Sequence, residues 1–311
     1  MYENGVEVQL LPVCSAKTIE HEKIFSSVRY QKTLGGSSSF SGVGLFSGLL
    51  TKITFVPAPV NFGILFKRVD LADKPLIPAS VTSITGTPRC TILGKGEAVV
   101  QSVEHVLAAL KAFEIDNVLI EVDGPEIPVG DGSALPFIRM IEEANIIEQE
   151  AAIPYYFLKE PLYWSEKGMH LAVLPSPELR FSYTLNYPEH PLLHAQFYSL
   201  ALQEESFLQE IAPCRTFSLY EEILPLLNKG MIKGGTLENG VIIKGKEILN
   251  PEGARFSDEM VRHKILDLIG DISLIGFPIV AHFIAIRSGH YANTELAKLI
   301  VAKAKSDKYK E

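Results

Sequence analysis

Cysteine is scarce in this 311-residue chain, with only Cys14, Cys90 and Cys214. No two of them have Cys-x-x-Cys spacing and three cannot close a full set of disulfides, so a reducing compartment is expected. Long apolar runs are missing as well. The greasiest stretch, 274–286, is too short to span a bilayer and is broken by Gly276, Pro278 and His282. The leading MYENGVEVQLLPV is acidic and lacks the basic leader and apolar core of a secretory signal. No basic stripe balances the net charge of −8, which excludes nucleic acid as a partner and favours small molecules. A cytoplasmic, monomeric protein without a transmembrane segment is expected, with room for transient contact at a membrane surface.

Several catalytic signatures are also absent. There is no Gly-x-x-x-x-Gly-Lys-Ser/Thr loop, and GVGLFSG is followed by a strand rather than a helix, so it is not a dinucleotide fingerprint. No Gly-x-Ser-x-Gly elbow occurs. Nucleotide hydrolysis, NAD chemistry and serine-hydrolase chemistry on that fold are thereby set aside.

What the chain does have is an ordinary globular composition, 47% hydrophobic and 21% charged, at a length suited to about two domains. Residues 1–27 show weak periodicity and are expected to form a poorly ordered or loosely docked extension. From Tyr30, the segments 41–48, 50–58 and 62–70 read as strands. A helix is predicted over 102–113, with Ser102 as a candidate cap and Val103, Val106, Leu107 and Leu110 as its apolar stripe. A strand over 117–122 follows. The order helix 103–113, strand 118–122, glycine-rich loop, helix 135–143 recurs as helix 259–269, strand 279–286, loop RSGH, helix 294–305. This predicts an α+β protein of two similar domains from an internal duplication, each a sheet layered on helices. The first spans 28–148 and the second 149–311, with a polar linker at 143–152. An insertion at about 217–243 carries more apolar surface than its length needs, either as satellite core or as a lipid-lined groove.

The chemistry concentrates in RHKILDLIGD, 262–271. His263, Asp267 and Asp271 stand four residues apart, which on a helix puts them along one face. Two readings fit: a solvated face whose His and Asp pair, or a set of metal ligands. Glu104-His105 tips the balance. If the two first helices of the repeats pack together, His105 joins His263 and Asp267 as the two-His, one-carboxylate set that leaves Zn²⁺ a water site. Glu104 would then take a proton from that water. His290, expected on a loop, would be kept cationic by Asp271 to act as general acid or oxyanion stabiliser. Lys264 and Arg287 add positive charge nearby and imply an anionic substrate, a diphosphate being one candidate.

SVEHVLAAL (102–110), IDNVLIEVDGPEIPVGDGSA (115–134), CRTF (214–217), RFSDEMVRHKILDLIGD (255–271) and RSGHYAN (287–293) together resemble the zinc-dependent UDP-3-O-acyl-N-acetylglucosamine deacetylases. The likeness runs from about Tyr30 to the C-terminus. It implies a zinc hydrolase that removes acetate from the 2-acetamido group of UDP-3-O-(3-hydroxyacyl)-N-acetylglucosamine, the committed step of lipid A biosynthesis. It also implies ligands His105, His263 and Asp267, a base at Glu104, and an acid or oxyanion stabiliser at His290 assisted by Asp271. Thr216 would help hold the oxyanion. Phe217 and the insertion would line the acyl passage, Lys264 and Arg287 would face the phosphates, and Tyr187 would stack on uracil. Phe46 departs from the pattern, standing where many members have histidine. Two alternatives stay open at this point: a zinc amidase or peptidase on another anionic acylated substrate, and a non-catalytic binding protein on the same fold.

Overall fold

The computed structural model describes residues 28–308. The expected extension at 1–27 lies outside the described residues. The first half runs through β1 (Val28–Leu34), β2 (Ser38–Val43), β3 (Leu50–Pro57), β4 (Ile64–Arg68), β5 (Leu76–Pro78), β6 (Ile84–Gly86), β7 (Ile92–Lys95), β8 (Ala98–Gln101), α1 (Glu104–Ala112), β9 (Val118–Val122) and α2 (Leu135–Ala144). The second half holds β10 (Ile146–Pro154), β11 (Tyr156–Phe157), β12 (Leu162–Glu166), β13 (Met169–Leu174), β14 (Arg180–Leu185), β15 (Gln196–Ala201), α3 (Glu204–Ser206), β16 (Phe217–Leu219), α4 (Tyr220–Asn228), β17 (Val241–Lys244), β18 (Glu247–Ile248), α5 (Glu259–Ser273), β19 (Ile279–Val280), β20 (His282–Ile286) and α6 (His290–Lys308).

One topology occurs twice. The five-stranded sheets have the orders β2-β3-β9-β4-β5 and β12-β13-β20-β14-β15. In each, the central strand is antiparallel to one neighbour and parallel to the other: β9 to β3 and β4, β20 to β13 and β14. Each half also carries a three-stranded sheet, β6-β7-β8 ahead of α1 and β16-β17-β18 ahead of α5. The sequence pointed to an insertion in the second half only. The α+β class with helices layered on sheets is as expected: α2 packs on β2, α5 on β14 and α6 on β12, while α1 and α5 pack on each other around one apolar core.

Four local expectations need correction. Ser102 does not cap α1; the capping position is Val103, without a side-chain hydrogen bond, and the Ser102 hydroxyl donates to Glu126 instead. The supposed linker 143–152 holds the end of α2 and most of β10, whose alternating exposed residues look polar because β10 forms an antiparallel ribbon with β1. That ribbon crosses the expected 148/149 boundary. Only the first three residues of 41–48 are strand, and Gly44 to Gly48 close a turn through their backbones. The strand expected over 279–286 is interrupted at Ala281, giving β19 and β20 in different sheets.

Helix α5 explains why the two halves can share a site. It is buried on all sides, with Val261, Ile265, Leu266, Leu268 and Ile269 in the core along with its polar residues, as expected for a helix without a solvent face. Its crossing with α1 depends on Gly270, where a Cβ would lie 2.0 Å from the Glu104 carbonyl oxygen and 2.9 Å from the Glu104 Cα. Gly270→Ala is therefore expected to force the helices apart, at a cost of about 1–3 kcal/mol or more. Because Glu104 itself is displaced, turnover should fall further than thermal stability accounts for; activity at temperatures well below the melting transition checks this.

Candidate functional site

His263, Asp267 and Asp271 are 2%, 4% and 0% exposed, which rules out the solvated-face reading. Buried charge is expensive unless paired, and each of these groups has partners. The ligand atoms of His105, His263 and Asp267 lie within 4.8 Å of one another. One Asp267 carboxylate oxygen is 3.3 Å from His263 Nε2 and 3.6 Å from His105 Nε2, and the imidazole rings meet edge to face with centroids 5.0 Å apart. His263 Nδ1 donates to the Cys214 carbonyl at 3.0 Å, leaving Nε2 as the free donor atom. Lys264 donates to the other Asp267 oxygen at 2.7 Å. Burial lowers the proton affinity of His263 more than Asp267 restores it. Burial would raise Asp267, but Lys264, His263 and His290 outweigh it and hold that carboxyl well below its usual range. Two neutral imidazole nitrogens and an ionised carboxylate are the donor set a metal ion requires, so these residues fit one.

Glu104 is buried at the start of α1 and accepts the Thr91 backbone N–H at 3.0 Å. Burial pushes its carboxyl up, and the nearby His290 and His105 do not cancel that effect. His290 is the first residue of α6 rather than part of a loop. Its Nδ1 donates to Asp271 at 2.9 Å. Burial works against charge on this imidazole, but Asp271, Glu104 and Asp267 together raise it to about 9. Asp271 also accepts Asn293 Nδ2 at 2.9 Å and the Thr91 hydroxyl at 2.5 Å.

Thr91 and Asn293 were missed from the sequence. Thr91 ties Glu104 to the Asp271–His290 pair, yet it sits in CTIL just before β7 with no motif around it. Asn293 had a signal, standing in RSGHYAN one helical turn after His290. Arg215 was also unassigned: it is fully buried, bonded to Glu252 and to Glu259 through Nε at 2.9 Å, and anchors the segment bearing Thr216 and Phe217 to the start of α5.

A cavity of about 330 Å³ opens over these groups. Glu104, His105, His263, Lys264, Asp267 and His290 line it, as do Thr216, Phe217 and Tyr187. Phe217 approaches the His263 ring edge to face at 6.4 Å, and Leu45, Phe46 and Leu219 complete an apolar wall. Asp271 stands behind His290, and Arg287 is exposed and does not line the cavity, although Ser288 next to it does. Ser288 Oγ is buried on that wall without a hydrogen-bond partner among the described residues. A larger cavity, about 870 Å³, lies at the opposite ends of α1 and α5 around Lys111 and holds none of the candidate residues. Among the described residues, no helix is long and apolar enough to cross a membrane.

Residues 31–302 match the family model described as LpxC, UDP-3-O-acyl N-acetylglycosamine deacetylase. Among similar proteins, the UDP-3-O-acyl-N-acetylglucosamine deacetylases of Chlamydia caviae and Chlamydia felis are each 45% identical over 273 residues, covering 88% of this chain and 97% of theirs. The protein of that name from Chlamydia pneumoniae is 45% identical over 274 residues with the same coverage. With the match spanning nearly all the described residues, the chain belongs to the UDP-3-O-acyl N-acetylglycosamine deacetylase family.

Proposed function

We propose that this chain is a zinc-dependent deacetylase that hydrolyses the 2-acetamido group of UDP-3-O-(3-hydroxyacyl)-N-acetylglucosamine to the free amine and acetate. The observation carrying this reading is the convergence of His105, His263 and Asp267 beside the buried Glu104 carboxylate. Two imidazoles and one carboxylate suit Zn²⁺, which when bound supplies Lewis acidity toward the amide carbonyl and lowers the pKa of water.

The remaining work falls to the chain. Glu104 accepts the proton of the attacking water, a task suited to a carboxylate whose basicity burial has raised. His290, cationic through its carboxylate neighbours, faces the oxygen that gains charge as the carbonyl carbon becomes tetrahedral, and it can protonate the departing amine. Thr216 offers a hydroxyl to the same oxygen. Asp271, gripped by Thr91 and Asn293, keeps the His290 ring oriented. Phe217 with Leu45, Phe46 and Leu219 forms the wall for the 3-O-acyl chain, and Tyr187 offers an aromatic face to uracil. Lys264 and Arg287 bring positive charge toward the diphosphate, Lys264 from the cavity wall and Arg287 from outside its lining. Cytoplasmic action as a monomer belongs to the same reading; the buried free thiols of Cys90 and Cys214 fit a reducing compartment. So does a division into units 28–148 and 149–311, supported by the repeated strand order.

The direct test is acetate release from the acylated UDP-sugar by purified protein, with and without a chelator. Chelator-sensitive release is expected; no release, or release indifferent to metal removal, overturns the proposal. The pH profile follows from the same groups. Glu104 must be ionised and its carboxyl is raised, so kcat/KM should climb on an acid limb above the ordinary carboxylate range. His290 must be protonated, so the rate should fall on an alkaline limb no higher than about 9, with a bound cation moving both limbs down. His290→Ala should abolish the alkaline limb in the low residual rate. An unaltered bell would remove His290 from the proton inventory.

A further inference from the structure

Seven of the seventeen large apolar side chains exposed among the described residues lie in two short stretches, 43–52 and 224–237. The first is the tip of the β2–β3 hairpin. Val43 pairs with Leu50, and Lys52 is two residues further along the same face, so Val43, Leu50 and Lys52 point outward together. Leu50 is 76% exposed and Leu49 54%. The second stretch is α4 with its following loop, presenting Leu224, Leu227 and Met231, then Leu237. Helix α4 packs on β16 and β17 yet fully buries none of its nine residues, and Leu224 and Leu227 stay exposed.

The two stretches are one surface. Lys233 N–H donates to the Phe46 carbonyl and Gly234 N–H to Leu45 at 3.0 Å, and Gly48 lies so close to Lys233 that a Cβ there would be 2.6 Å from the lysine Cβ. Lys52, Lys229 and Lys233 are exposed among these apolar side chains, while the acids flanking the second stretch, Glu221 and Glu222 in the first turn of α4 and Glu238 beyond Leu237, stand at the edges of the patch. The first of these stretches also supplies Leu45 and Phe46 to the apolar wall of the cavity.

We infer that this apolar, lysine-bearing patch docks on a lipid bilayer with anionic headgroups, setting the mouth of the acyl-binding wall against the membrane surface. Apolar side chains ringed by lysine are the composition of a shallow interfacial anchor. A surface of this kind lets an amphiphilic acylated sugar reach the cavity without carrying its chain through water. The role in delivery rests on the deacetylase reading; the docking itself does not.

The test is vesicle co-sedimentation of the purified chain. Wild type is expected to bind vesicles containing roughly a third phosphatidylglycerol, weakly or not at all to bind pure phosphatidylcholine, and to be released by salt. Leu50→Glu with Met231→Glu should weaken partitioning at least about tenfold, while turnover of a short-chain, water-soluble substrate stays at the wild-type level. Lys229→Glu with Lys233→Glu should remove the preference for phosphatidylglycerol, since each lysine near such a surface strengthens partitioning by about fivefold. Absence of binding to either vesicle with acetate release intact overturns the docking proposal and leaves the deacetylase reading standing. Binding without acetate release does the reverse. A dimer in light scattering that Leu50→Glu and Met231→Glu disperse would give the patch to a second copy, and likewise overturn it.

Discussion

Glu104→Gln is expected to lower turnover by about 10²- to 10⁴-fold, the range for loss of a positioned acid-base group, while metal content stays at the wild-type level. The substitution is nearly isosteric, and the amide oxygen can still accept the Thr91 N–H that holds the carboxylate now. It therefore removes proton acceptance and little else. His290→Ala should cost a similar factor for a different reason: it takes away the cation that Asp271 sustains. Combining the two should cost less than the product of the single losses, because residues acting on one transition state are not additive. Turnover within a few-fold of wild type for either single variant, with the fold intact, would strip that residue of its role. Thr91→Val provides a useful contrast. It keeps the backbone donor to Glu104 and deletes the hydroxyl bonded to Asp271, so any loss should show in the His290-dependent alkaline limb rather than the acid one.

His263→Ala should abolish stoichiometric metal retention, with affinity falling by more than the roughly 10- to 100-fold typical of losing a group that only hydrogen-bonds to a ligand. Two effects combine. One of three donor atoms disappears, and Asp267 loses a neighbour that helps keep it ionised. Metal analysis after dialysis against a mild chelator reads this directly. Full retention would contradict the ligand role. Cys214→Ala should leave retention unchanged, because His263 is oriented by the Cys214 backbone carbonyl and not its thiol. Burial raises the thiol above its usual pKa, so it is not poised to act as a thiolate ligand.

The pattern of agreement and error follows from the range of the forces involved. Spacing within one helix is a local property, so the alignment of His263, Asp267 and Asp271 could be read from the chain. The repeated order of elements was legible for a similar reason, because periodicity reports burial element by element. Strand β10 was read as linker because an exposed two-stranded ribbon alternates weakly and lends few residues to the core. His290 was assigned to a loop because RSGH carries a turn signal that, in the fold, immediately precedes the first turn of α6.

From the sequence alone came the candidate ligand types, the Glu-His pair beside them, the α+β class and the family likeness, since each is written in residue identities at short or ordered spacing. Tertiary structure alone decided how near those groups come. Gly270 lets α5 approach the Glu104 backbone, Thr91, the residue before β7, bridges two carboxylates, and Arg215 is buried to anchor the strand carrying Phe217. Arg287 is left exposed and off the cavity lining. None of these has a local signature, because contacts between residues as far apart as Thr91 and Asp271 are selected by packing of the whole core and not by the conformational preferences of either segment.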